Sequence, residues 1–301
     1  MAKPNYLPDV LETTEAECLA TGFTFTEGPL WHPDGYYYFV DLRANKLYKI
    51  TPGQKPELVR ETQEGNGTTF DLQGRLIHCE HKARAVTRLN ADGKVEVIAE
   101  RYMGGRFNKP NDVVCHSDGS LFFTDPGKRV PYAQREIPSA EGLNNVWDEA
   151  AVYRIAPDGT ISLVANCEYP NGLAFSPDER TLYVANTRSS KYIHALELDG
   201  NGKFLRRRIF ADLNVGDRPG IPDGLKVDIQ GRVYCTGPGG IWVMTPDGKR
   251  VGIIEFPEQS VNFAFGGADL KTLFCCAHTS VYTLRVKVPG NPHPWYRVRG
   301  E

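Results

Sequence analysis

Short apolar runs separated by turn clusters fill nearly the whole chain, so strands are expected throughout and helices should be scarce. One unit recurs six times: a β-branched or aromatic run, a Gly, Asp or charged turn, and a second such run. The copies are Leu30 to Asp41, Thr69 to Glu80, Val114 to Asp125, Ala174 to Asn186, Lys226 to Gly237 and Ala264 to Ala277. Each reads as a β-hairpin. A second, more polar hairpin follows each copy, for example VTRLNADGKVEVIAE and VYRIAPDGTISLVA, so the repeating unit has four strands. Measured between the turns at Gly35, Gly74, Gly119, Arg180, Gly231 and Leu270, the period is 39, 45, 61, 51 and 39 residues. Blades of a β-propeller run about 40 to 50 residues. The expected fold is therefore all-β, a single six-bladed β-propeller over residues 1–301 with an insertion at about 128–148. The last copy lacks one strand, and the segment Ala20 to Thr26 is the candidate to supply it and close the ring.

The first strand of each blade lines a propeller's central channel, so residues at one register of the six first strands form a ring at its mouth. Aligned on Trp31, Phe70, Cys115, Phe175, Val227 and Phe265, the positions four residues upstream are Glu27, Asn66, Asn111, Asn171, Asp223 and Val261. Five of these six carry side-chain oxygens; whether Val261 or Asn262 completes the ring is left open by an extra residue in the last turn. Carboxylates and carboxamides crowded at one mouth need a cation or water among them. Oxygen donors without His or Cys favour a hard divalent ion such as Ca²⁺, Mg²⁺ or Mn²⁺. The competing explanation is local, since Asn-Gly and Asp-Gly are also ordinary turn dipeptides.

The strings Glu27-Gly28-Pro29, Pro110-Asn111-Asp112, Phe123-Thr124-Asp125-Pro126, Pro170 to Ser176 (PNGLAFS) and Pro222-Asp223-Gly224-Leu225 fall in order on successive repeats. Together they resemble the gluconolactonase, senescence-marker-protein (regucalcin) and luciferin-regenerating-enzyme family from about Gly22 to Val286. The resemblance implies a six-bladed propeller with one divalent cation at the channel mouth, Ca²⁺ foremost and Zn²⁺, Mn²⁺ or Mg²⁺ as alternatives, and hydrolysis of a small-molecule lactone. It implies Glu27, Asn171 and Asp223 as metal ligands, with Asn111 beside them touching metal or substrate. Lys109 stands where several members have an Arg that binds substrate hydroxyls, and Arg106 competes for that role. An ammonium is a point donor and a guanidinium a planar fork, so the substitution bears on substrate choice.

For lactone opening, a cation polarises the carbonyl and activates water, while a carboxylate takes the proton. Asp223 is the expected base, Glu27 the alternative, and both acting only as ligands a third possibility. Asn66 and Asp125 are further residues expected to bind substrate at the mouth, Asp125 alternatively as a partner of the ligands or a ligand of a second cation. The second-strand ends Asp41, Glu80, Asp125, Asn186 and Ala277 should return to this face, bringing His81 and His278 with them. The insertion should overhang it and offer Tyr132, Asn144, Asn145 and Trp147 to a cyclic substrate.

Composition narrows the partners. Lys and Arg number 35 against 37 Asp and Glu, a net charge of −2 without a basic stripe, which argues against nucleic acid or a membrane surface. No apolar stretch reaches the length of a membrane span and the first residues lack the pattern of a secretion signal, so a cytoplasmic monomer or homodimer is expected. Seven cysteines without C-x-x-C spacing read as reduced, mostly buried thiols. The alternatives to a sugar lactonase are a hydrolase of another ester or an organophosphate at the same metal, and a non-catalytic cation-binding scaffold.

Overall fold

The computed structural model describes residues 5–127, 150–188 and 190–299. The insertion at 128–148, with Tyr132, Asn144, Asn145 and Trp147, lies outside the described residues. Six four-stranded antiparallel sheets are arranged as a six-bladed β-propeller. Their inner strands are Thr26–His32, Gly65–Phe70, Val113–Cys115, Pro170–Phe175, Leu225–Val227 and Asn262–Gly266. Each inner strand touches the next, and the sixth touches the first. In the first five blades the remaining strands follow in chain order. The sixth uses Thr272–Ala277 and Ser280–Arg285, and its fourth strand is Glu17–Thr21, paired antiparallel with Ser280–Arg285. That strand sits upstream of the expected Ala20 to Thr26. Gly22, at φ +97°, ends it, and Thr26 already begins the first inner strand.

Alternation along each strand sends successive side chains to opposite faces, so every blade contributes to two apolar layers. Six buried clusters result, one between each pair of neighbouring blades. Between blades six and one, Tyr37 stacks on Phe274 with ring centroids 4.3 Å apart. Burial falls off outward: the inner strand Gly65–Phe70 is buried at every position, whereas the outer strand Glu57–Glu61 has no buried residue. All seven cysteines are free and six are buried. Among the described residues no helix is long and apolar enough to cross a membrane.

At the end of the channel opposite the ring of candidate ligands, the tail from Gly290 folds back under the blades. Its helix, Pro294–Arg299, places Trp295 4.6 Å from Phe70 and lets the Tyr296 hydroxyl donate to the Trp31 carbonyl. A cavity of about 140 Å³ lies there, walled by inner-strand residues such as Leu30, Val113, Phe175 and Phe265, with Lys226 as its inner-strand cation.

Candidate active site at the channel mouth

The loops entering the inner strands are fixed by the ends of the second strands. Asp41 accepts the backbone N–H groups of Thr24 (2.8 Å) and Phe25 (3.0 Å), and Glu80 accepts that of Gln63 (2.8 Å). Asp125 accepts Asn108 (2.8 Å) and Lys109 (2.5 Å), and the Asn186 side-chain oxygen accepts Tyr169 (2.8 Å). The same exchange is thus made four times, each across 16 or 17 residues, because the antiparallel hairpin brings the second-strand end back beside the inner-strand start. Asp125, buried to 1 % exposure, therefore holds the loop that carries Lys109 and leads to Asn111.

At three of the candidate positions, Glu27, Asn66 and Asn171, the inner strand breaks its pairing. The ladder slips between Glu27 and Leu30, between Gly65 and Thr68, and between Pro170 and Leu173, the local bend of a β-bulge. The residue after the ligand then meets the neighbouring blade. Gly67 N–H donates to the Asn111 carbonyl (2.8 Å), Gly172 N–H to that of Asp223 (3.1 Å) and Gly224 N–H to that of Val261 (3.0 Å). A Cβ on Gly172 would lie 2.1 Å from the Asp223 carbonyl oxygen, and one on Gly28 2.1 Å from that of Asn66. Gly67, Gly172 and Gly224 serve close approach between blades rather than a local turn, while Gly28, at φ +56°, answers both needs. The accepting carbonyl also places Val261 at the ligand register, with Asn262 one residue further on.

That further register reads Gly28, Gly67, Asp112, Gly172, Gly224 and Asn262. Asp112 and Asn262 come from opposite blades and occupy the hub that four glycines leave open. In the sequence Asp112 belongs to the Pro-Asn-Asp string, and the signal that sets it apart is that Asp112 and Asn262 are the two polar residues in an otherwise glycine register one step beyond the aligned positions. Asn262 donates to the Glu27 carboxylate (2.9 Å), which also accepts Gly28 N–H (2.7 Å). One Asp112 oxygen accepts Val113 N–H, and the other, Oδ2, is buried without a hydrogen-bond partner among the described residues.

Burial and the charge on Asp112 push the Glu27 carboxyl up to about 7. Burial, followed by the charges on Glu27 and Asp112, raises that of Asp223 as well. Burial raises Asp112, opposed by the ammonium of Lys226. Asn171 hydrogen-bonds Asp223, and its Nδ2 also donates to Thr187 Oγ1 (2.9 Å), whose hydroxyl donates to the Pro222 carbonyl (2.7 Å). With Nδ2 committed in this way, Oδ1 of Asn171 is the atom left for a ligand. Among the described residues no three His, Cys, Asp or Glu side chains form a metal cluster by themselves, so amide oxygens must share in any cation site here. Carboxylates whose charges raise one another's proton affinity, beside the free Oδ1 of Asn171, fit a hard divalent cation held by Glu27, Asn171 and Asp223.

The other expected residues fall around this centre. Asn66 and Asn111 meet through His81, whose Nε2 is 3.0 Å from Asn66 Nδ2 and 3.5 Å from Asn111 Nδ2. His278 packs beside Phe25, with ring centroids 5.4 Å apart. Lys109 is half-buried on the loop above Asp125. Arg106 lies in a short hairpin, Arg101–Tyr102 with Gly105–Arg106, and its guanidinium donates to the Ala83 carbonyl (2.7 Å).

The chain is 31 % identical to a gluconolactonase of Zymomonas mobilis, over 92 % of this chain and 83 % of that protein. It is 27 % identical to a pentonolactonase of Haloferax volcanii, over 87 % and 84 %. A gluconolactonase structure from Xanthomonas campestris superposes with a TM-score of 0.83 at 33 % identity, covering 95 % of this chain and 96 % of that one. The profile of the SMP-30/Gluconolactonase/LRE-like region matches residues 25–279, and the chain belongs to that family.

Proposed function

We propose that this chain is a divalent-cation-dependent lactone hydrolase with a sugar lactone as substrate. The observation that supports it most is that the charges of Glu27 and Asp112 act on Asp223 at the hub, in a chain 31 % identical to a gluconolactonase over 92 % of its length. Glu27, Asn171 and Asp223 hold the cation, with Asn111 beside them, and oxygen donors favour Ca²⁺ over softer ions. When bound, the cation supplies Lewis-acid polarisation of the ester carbonyl and acidifies water.

The protein does the remaining work. Asp223 takes a proton from the attacking water as that oxygen bonds to the carbonyl carbon. The ring C–O bond then breaks and the same proton passes to the departing ring oxygen, giving the open hydroxy acid. Lys109, Asn111 and Asn66 donate to substrate hydroxyls, while Asp125 and His81 hold these donors in place.

A panel of aldonolactones, aromatic lactones and phosphotriesters, followed with a pH indicator, tests the reading. Aldonolactones should turn over, a chelator should abolish turnover, and Ca²⁺, Mn²⁺, Zn²⁺ or Mg²⁺ should restore it. Asp223→Asn should remain folded and lose most of kcat. Undiminished turnover in a verified metal-free sample would reject the cation. Turnover of phosphotriesters alone would reject the substrate class.

A further inference from the structure

Three residues beyond the ligand register, the six inner strands carry Leu30, Thr69, Val114, Ala174, Lys226 and Ala264. Lys226 is the one charge in that ring. Its ammonium donates to the Leu225 carbonyl (2.9 Å), lies 5.9 Å from the Phe263 ring centroid, and stands 3.9 Å from the otherwise unpartnered Oδ2 of Asp112. Asp112 is only 4 % exposed. Around the ammonium the channel is walled largely by apolar side chains, so its field is weakly screened. It favours the charged form of Asp112 most and those of Glu27 and Asp223 to a lesser degree.

We propose that Lys226 is a fixed positive charge built into the cation site, reducing three hub carboxylates from 3− to the 2− that one divalent ion cancels, and so selecting divalent over trivalent cations. The assignment rests on the cation reading above and adds to it a residue that touches neither cation nor substrate. The physical basis is that a given potential acts half as strongly again on a trivalent ion as on a divalent one. Removing the ammonium deepens the negative potential and favours the trivalent ion; removing Asp112's charge does the reverse.

The test is titration calorimetry of the intact protein with Ca²⁺ and with La³⁺, reading the ratio of the two dissociation constants. Lys226→Met should shift that ratio toward La³⁺ by roughly tenfold or more, and Asp112→Asn should shift it toward Ca²⁺ by a similar factor. The double variant restores 2− and should return the ratio to within about threefold of wild type, a rescue that a merely structural lysine would not give. Wild-type protein that binds Ca²⁺, with a folded Lys226→Met variant of unchanged ratio, overturns the assignment alone. If Lys226→Met fails to fold, an unchanged ratio in Asp112→Asn overturns it equally. Wild-type protein that binds neither ion removes the cation reading and this assignment together.

Discussion

Gly172→Ala isolates the contact that joins blades four and five at the site. The added Cβ would sit 2.1 Å from the Asp223 carbonyl oxygen, 2.8 Å from Leu225 N and 3.0 Å from the Asp223 carbonyl carbon. Ordinary contact begins near 3.4 Å, and all three atoms are backbone, so no side chain can swing aside. The inner strands must part, weakening the 3.1 Å bond from Gly172 N–H to that same carbonyl. Overpacking costs about 1–3 kcal/mol and a lost hydrogen bond about 1 kcal/mol, together about 2–4 kcal/mol. At roughly 2 °C per kcal/mol for a chain of this size, Tm should fall by about 4–8 °C. Cation affinity should fall too, because Asn171 and Asp223 flank the contact. Gly200→Ala is the control: nothing lies within 4 Å of its Cβ, and its stability should stay within about 0.5 kcal/mol of wild type. The assay is thermal unfolding with a parallel cation titration. A Gly172→Ala protein with wild-type Tm and affinity would refute close approach and return this glycine to the role of turn former.

Thr187→Val removes the hydroxyl that engages Asn171 Nδ2, so calorimetry should show cation affinity lowered by about 10-fold with little change in unfolding midpoint. Asp125→Ala frees the N–H groups of Asn108 and Lys109, and lactone KM should rise several-fold while circular dichroism stays unchanged. Phe274→Ala empties the stack on Tyr37 and should lower stability by about 3–5 kcal/mol, read from the urea midpoint. His78, 1 % exposed, is pushed down to about 3 by burial and then by the Arg60 charge. The unfolded chain takes up this proton first as pH falls, so the stabilisation is complete above about 6.5 and lost toward 3, at about 1.4 kcal/mol per pH unit. Urea midpoints between pH 7 and 5 should fall less steeply for His78→Gln than for wild type; equal slopes would refute the assignment.

The blades were legible in the chain because strand alternation and turn chemistry repeat together: Tyr37 and Phe39, or Ile77 and Cys79, enter one interlayer while their neighbours enter another. The common register of Glu27, Asn66, Asn111, Asn171, Asp223 and Val261 follows from the same repeat. The N-terminal strand was placed too late because ATGFTFT alternates well, whereas Gly22's positive φ, which ends the strand, is a backbone property. Asp112 stands in the sequence only inside the Pro-Asn-Asp string, and Asn262 only as the alternative to Val261, because the hub position lies one residue beyond the register that the turns mark. Lys226 looked like an ordinary polar residue of a strand; its meaning appears only beside its five uncharged counterparts. Lys109 and Arg106 lie on loop and hairpin, where spacing to the inner strand does not fix direction, and the guanidinium of Arg106 is drawn to Ala83.

A polar hub is an unfavourable place to end six buried strands, and this chain stabilises it through backbone pairing between blades as well as through side chains such as Asn262 and Asn171. Because Gly67, Gly172 and Gly224 donate to carbonyls on the neighbouring blade, Asn111, Asp223 and Val261 have those groups satisfied before any ligand arrives. The unmet need is concentrated in carboxylates such as Asp112, whose Oδ2 has no hydrogen-bond partner among the described residues and only the Lys226 ammonium at 3.9 Å. Neutralising that carboxylate by mutation removes a buried charge whose only cation is the Lys226 ammonium at 3.9 Å, so Asp112→Asn should stabilise the cation-free protein even as it weakens cation binding. A destabilised cation-free Asp112→Asn protein, in urea unfolding with chelator present, would show that the pairing with Lys226 outweighs the cost of burying the charge.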